Sequence, residues 1–141
     1  MKYNSPVIVV DDDSEDIDVL KELINKIDAS QEVISFTDAK RALTYLRETQ
    51  DRPLIIFSDV NMPGMNGVEF RRVIYHEERL RIKSIPFVFY TTAIEPHFVR
   101  EAYKLTVQGF FKKEASMDEI ENTLRETFKY WRRSVHPNQF T

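Results

Sequence analysis

Four short apolar runs each end at polar residues whose types together describe a phosphate and metal site. Val7-Ile8-Val9-Val10 runs into Asp11 and Asp12, and Leu54-Ile55-Ile56-Phe57 runs through Ser58 into Asp59. Phe87-Val88-Phe89-Tyr90 runs into Thr91 and Thr92, and Gly109-Phe110-Phe111 runs into Lys112 and Lys113. If the four ends meet, Asp11, Asp12, Asp59, Thr92 and Lys113 supply three carboxylates, a hydroxyl and an ammonium. Hard divalent cations take carboxylate and carbonyl oxygens. Clustered carboxylates repel one another, and a cation relieves the repulsion. A carboxylate beside such a cation can attack a phosphoryl group to give an acyl phosphate. Thr92 is expected to face the phosphoryl oxygens. Thr91 is expected to point away, because neighbouring strand residues alternate faces. Lys113 would act as a point charge for phosphate, with Lys112 left in solvent. Each residue also has a plain structural role open to it: helix or turn capping for the acids, ordinary strand packing for the threonine, solvation for the lysine.

Apolar runs bounded by polar turns are the mark of strands buried on both faces, as in parallel sheets. In an open parallel α/β sheet, ligands sit outside the carboxyl ends of the strands. Between the runs lie helix-period segments. Ser14 is a candidate N-cap for a helix with Ile17, Leu20, Leu23, Ile24 and Ile27 on one face. Val33 to Phe36 reads as the second strand, and Thr37 could cap a helix with Ala39, Ala42, Leu43 and Leu46 inward. The segment from Val60 to Gly67 holds two of the three glycines and reads as a loop. A third helix carries Val68, Phe70, Val73 and Ile74. Pro96 suits the first turn of a fourth, bearing Val99, Ala102 and Tyr103. Ser116 to Glu119 has the form of a capping box and opens a fifth, with Met117, Ile120, Leu124, Phe128 and Trp131 at spacings of three and four. Five βα units predict a five-stranded parallel sheet with helices on both faces, the flavodoxin-like α/β sandwich.

The 141 residues suit one domain, with a core over about residues 6–133 and a tail at 134–141. A hydrophobic fraction of 42% and a charged fraction of 30% are ordinary for a globular protein. No apolar run is long enough for a membrane helix, and no signal-peptide pattern is present. There is no cysteine, so thiol and disulfide chemistry are excluded, and a cytoplasmic location is the expectation. A net charge of -3 gives no general attraction to nucleic acid. His76, His97 and His136 lack metal-ligand spacing and read as surface residues.

The constellation resembles the receiver domain of two-component response regulators, such as the single-domain chemotaxis and phytochrome-associated regulators. The resemblance rests on Asp11-Asp12 after Val-Ile-Val-Val, and on Asp59 in Ser-Asp-Val-Asn-Met-Pro-Gly-Met-Asn-Gly. It extends to Thr92-Ala93 and to Lys113 after Gly-Phe-Phe-Lys. It implies that Asp59 accepts a phosphoryl group from a phosphohistidine on a sensor histidine kinase or histidine phosphotransfer protein. It implies Mg²⁺ held by Asp12, Asp59 and the backbone carbonyl of Asn61, with Asp11 acting through water. Lys113 and Thr92 would bind the phosphoryl oxygens, and Thr92 and Phe110 would form the switch. The signal would then pass by contact to a downstream protein target, with no nucleic-acid or membrane partner. A homodimer through the fourth helix, fifth strand and fifth helix is a further expectation.

Two departures from the family pattern stand out. Glu114 replaces the proline that usually follows the site lysine in a cis peptide. A non-proline cis bond costs about 3 kcal/mol, so a trans Lys113–Glu114 bond is expected. Phe110 stands where tyrosine is common, so a switch there would work by packing alone. Two rival readings are a receiver-like adaptor that is never phosphorylated and a haloacid-dehalogenase-type phosphatase. The second rests on Asp11-x-Asp13 after four apolar residues, but Glu15 stands where that pattern has threonine or valine.

Overall fold

The computed structural model describes residues 5–140. Five strands form one sheet in the order β2-β1-β3-β4-β5, with every neighbouring pair parallel. They are β1 (Val7–Val10), β2 (Val33–Phe36), β3 (Ile55–Ser58), β4 (Phe87–Thr91) and β5 (Gly109–Lys112). This is the flavodoxin-like order.

Alternation along the strands builds two cores. Val7, Val9, Ile55, Phe57, Val88 and Tyr90 face one side. They are covered by α1 (Ser14–Ile27) and α6 (Met117–Arg133), through Ile17, Leu20, Leu23, Ile24, Ile120, Leu124 and Phe128. Ile8, Val10, Ile56, Phe87 and Phe89 face the other. There they meet α2 (Ala39–Glu48), α3 (Gly67–His76) and α5 (Pro96–Lys104). The three inner strands are buried throughout, as their unbroken apolar runs require, whereas the edge strand β2 is only half-buried.

Several local expectations shift by a residue. Asp13, not Ser14, caps α1, its carboxylate accepting from the N–H groups of Glu15 and Asp16. Asp38, not Thr37, caps α2 by accepting from Arg41 N–H. In both cases an aspartate next to the hydroxyl residue takes the capping position, which it fills as well or better. The reciprocal capping box is at Asn66 and Glu69 of α3. At α6 the Ser116 hydroxyl accepts from Glu119 N–H, while the Glu119 carboxyl turns to Glu114. Met117 and Tyr103, expected inward, are 46% and 53% exposed.

The sequence suggested five helices. A sixth, the single turn α4 (Glu78–Arg81), precedes β4 and buries Leu80. The expected fourth and fifth helices are therefore α5 and α6. The stretch expected to be a tail folds back as a 3-10 turn at Pro137–Phe140. His136 is buried there, not on the surface, and its Nε2 lies 2.8 Å from the carbonyl of Leu54. His76 and His97 are exposed, as expected.

Candidate functional site

The carboxyl ends of β1, β3, β4 and β5 bring the polar residues together. Backbone bonds hold them in register: Asp11 N–H donates to Phe36, Asp59 N–H to Val10, and Lys113 N–H to Thr91. Asp11 and Asp59 are buried and Asp12 is exposed. Each of the three offers one carboxylate oxygen within 4.8 Å of the others. The loop after β3 is pressed close to this cluster. A Cβ on Gly67 would sit 2.0 Å from the Asp59 carbonyl oxygen, so only glycine lets α3 start there.

The two oxygens of Asp59 have different surroundings. Oδ1 accepts from Val60 N–H at 2.7 Å and from the Thr91 hydroxyl. Oδ2 faces Lys113 Nζ at 3.3 Å. Thr91, fully buried, therefore holds the place expected for Thr92, which is exposed. Alternation correctly separated the pair but chose the wrong member. Continued past Phe89 opposite Ser58, the register puts Thr91 level with Val60, whose N–H lies 3.4 Å from the Thr91 hydroxyl. β3 ends at Ser58, so Asp59 no longer follows the alternation and its carboxylate meets Thr91. The Thr91 oxygen also accepts from Ala93 N–H at 3.1 Å.

Lys113 Nζ donates to Asp11 at 2.8 Å and to Asp16 at 2.7 Å, besides its longer contact with Asp59. Asp16 was missed from the sequence. Its one available signal was position: a side chain in the first turn of a helix leans back toward the helix start, here toward the end of β1. Burial opposes the charged form of Lys113, but the hydrogen bonds it donates to Asp11 and Asp16 prevail and raise its pKa. Burial pushes the Asp11 carboxyl up to about 6, against the hydrogen bonds from Lys113 and Asp13 N–H and with help from the charge on Asp59. A buried carboxylate held in that way, with two others close by, fits a hard divalent cation.

Asp13 serves as the helix cap and is not one of the three acids whose oxygens cluster. Phe110 is half-buried, with its ring 5.4 Å from Phe89. No described peptide bond is cis, so Lys113–Glu114 is trans as expected.

The family model for the response regulator receiver domain matches residues 7–125. The chain belongs to that family. Among curated relatives, the receiver domain is 26% identical over 129 residues to a probable methanogenesis regulatory protein, FilR2, of Methanothrix harundinacea, covering 89% of this chain and 82% of that one. A longer plant relative, the putative two-component response regulator ARR21 of Arabidopsis thaliana, is 35% identical over 71 residues, half of this chain but 11% of that protein. Among solved structures, the phosphorylated cyanobacterial phytochrome response regulator RcpA has the same fold, with a TM-score of 0.85 at 24% identity, over 95% of this chain and 99% of that one. The chemotaxis response regulator CheY4 of Vibrio cholerae matches with a TM-score of 0.70 at 26% identity, over 87% and 98% of the two chains. The receiver fold is that of a signalling domain rather than of a conventional enzyme. Among the described residues no helix is long and apolar enough to cross a membrane.

Proposed function

We propose that this receiver domain accepts a phosphoryl group on Asp59 from a phosphohistidine of a sensor histidine kinase or phosphotransfer protein. The observation that carries the reading is the asymmetry of the Asp59 carboxylate. Oδ1 is held by Val60 N–H and the Thr91 hydroxyl, which fixes the plane of the group and leaves Oδ2 directed at Lys113. Oδ2 is the attacking atom. The O–P bond forms as the P–N bond breaks, and the imidazole leaves with the electron pair. Lys113 then binds a phosphoryl oxygen by a charge-assisted hydrogen bond. The Thr91 hydroxyl, freed to rotate, is placed to donate to another. Asp11, Asp12, Asp59 and the carbonyl of Asn61 would hold Mg²⁺, which neutralises charge on the attacking and transferred groups.

Output would follow by contact with a downstream protein. New bonds at Thr91 shift the population of two states of the β4 end, and Phe110, packed on Phe89, responds by packing alone. Exposed Tyr103 on α5 and Tyr130 on α6 support the face of α5, β5 and α6 as the contact surface, including for a homodimer. Light scattering at high concentration, with and without phosphorylation, tests the dimer; a monomer in both cases ends that part.

The test of the phosphoryl reading is intact mass after incubation with Mg²⁺ and a small acyl phosphate. Gain of one phosphoryl mass by wild type and not by Asp59→Asn is the expected result. If neither gains mass, and a phosphohistidine donor also fails, the adaptor reading replaces this one.

A further inference from the structure

Lys113 meets three carboxylates that differ in how firmly they are held. An ammonium has three N–H donors, and here Asp11, Asp16 and Asp59 each take one. Asp11 cannot leave: it is buried, and its other oxygen accepts from Asp13 N–H at 2.9 Å. Asp59 is fixed through Oδ1 and is the group to be modified. Asp16 is different. Its side chain is 39% exposed on the first turn of α1, and among the described residues its carboxylate meets no cation but Lys113. It can rotate into water and recover its hydration. It also makes the shortest of the three contacts with the ammonium.

We propose that Asp16 is a displaceable anion that holds Lys113 in the resting protein and releases it when a phosphoryl group arrives on Asp59. This rests on the phosphoryl reading above and adds a regulation of that same site. A phosphoryl group brings about 1.5–2 negative charges to the ammonium. Only Asp16 has both the exposure and the freedom to give way to it. The resting contact thus competes with phosphoryl binding and lowers the apparent affinity of the site for a phosphoryl-like anion.

The test uses beryllofluoride, a phosphoryl mimic, titrated at saturating Mg²⁺ and followed by fluorine NMR of the bound species. Four full-length proteins are compared: wild type, Asp16→Asn, Asp16→Ser and Glu15→Gln. Glu15 is an exposed acid on the same turn that does not touch Lys113, so it reports the general effect of removing a charge. Both Asp16 variants are expected to reach half-saturation at about three- to fivefold lower beryllofluoride, the upper part of the range for a partly exposed ion pair, with Glu15→Gln within about 1.5-fold of wild type. Unchanged or weaker binding in folded Asp16 variants overturns the proposal, as does an equal shift in Glu15→Gln. In either case binding by wild type leaves the phosphoryl reading intact. No binding by wild type at any concentration overturns the phosphoryl reading and this proposal with it.

Discussion

The Thr91 hydroxyl donates to Oδ1 of Asp59 across two strands, and this bond leaves the other carboxylate oxygen to Lys113. The contrast between Thr91 and its neighbour follows directly. Thr91→Ala removes a buried hydroxyl with three partners and is expected to cost about 1–2 kcal/mol of stability. It should also slow phosphorylation by a small acyl phosphate. Thr92→Ala alters an exposed side chain and should stay within about 0.5 kcal/mol of wild type. Urea denaturation and timed intact-mass measurements check both; equal effects from the two substitutions would contradict the assignment of Thr91.

Gly64 in the loop after β3 and Gly67 at the start of α3 make opposite demands. Gly64 has φ +76° and open space around its missing side chain, so Gly64→Ala should cost about 1–2 kcal/mol from backbone strain alone. Gly67→Ala drives a methyl into the backbone of Asp59, 2.0 Å from its carbonyl oxygen. The expected cost is about 3 kcal/mol, the upper end for overpacking, because backbone must move. It should also reduce phosphorylation, since the displaced residue is the proposed acceptor. Denaturation midpoints and acceptor activity measured together separate the two cases.

Glu77 gives a pH signature remote from the site. Hydrogen bonds from Arg47, then from Arg79, hold its carboxyl down at about 2 from an ordinary 4.5. A depressed carboxyl stabilises the fold at pH above its unfolded value, and that contribution is lost as pH falls toward its folded value. Wild type should therefore lose stability between about pH 4.5 and 2 more steeply than Glu77→Gln. Urea midpoints at intervals through that window check the sign. A wild-type curve no steeper than the variant's would show that the Arg47 pair contributes nothing measurable.

His136 lies beyond the residues that the family model matches, yet it is buried. Its Nε2 donates to the Leu54 carbonyl, and its Nδ1 accepts from Asn138 N–H at 3.1 Å. His136→Ala should lower stability by about 1–3 kcal/mol, through the unpaired Leu54 carbonyl and the lost packing on Trp131. Thermal or chemical unfolding checks this; a change below about 0.5 kcal/mol would mean that the segment is dispensable to the fold.

The sheet was legible because its inner strands are buried on both faces and so read as unbroken apolar runs. The positions of Asp11, Asp12, Asp59 and Lys113 followed from the rule that such strands present their carboxyl ends to one edge. What was not legible depended on distances that pattern cannot measure. Alternation says that Thr91 and Thr92 point opposite ways, but β3 ends at Ser58, and the turn of the chain at Asp59, not the alternation, decides which of them it meets. Asp16 reaches Lys113 across 97 residues of sequence, and nothing local to either announces the contact. The burial of His136 escaped notice because a short segment with a single 3-10 turn has no apolar period to read. The helix caps moved by one residue because aspartate and a hydroxyl residue stood side by side and either could serve.

Arg71 sets how α5 can move. Its guanidinium is buried, donates to the carbonyls of Leu105 and Thr106 just past the end of α5, and lies 5.2 Å above the Phe87 ring. That end of the helix is riveted to α3 and β4. The opposite end, at Pro96, has no side-chain cap bond and lies a few residues beyond Thr91. A rearrangement at Asp59 would therefore tilt α5 like a drawbridge about its far end rather than slide it, and the largest excursion would fall on the residues around Pro96 and His97.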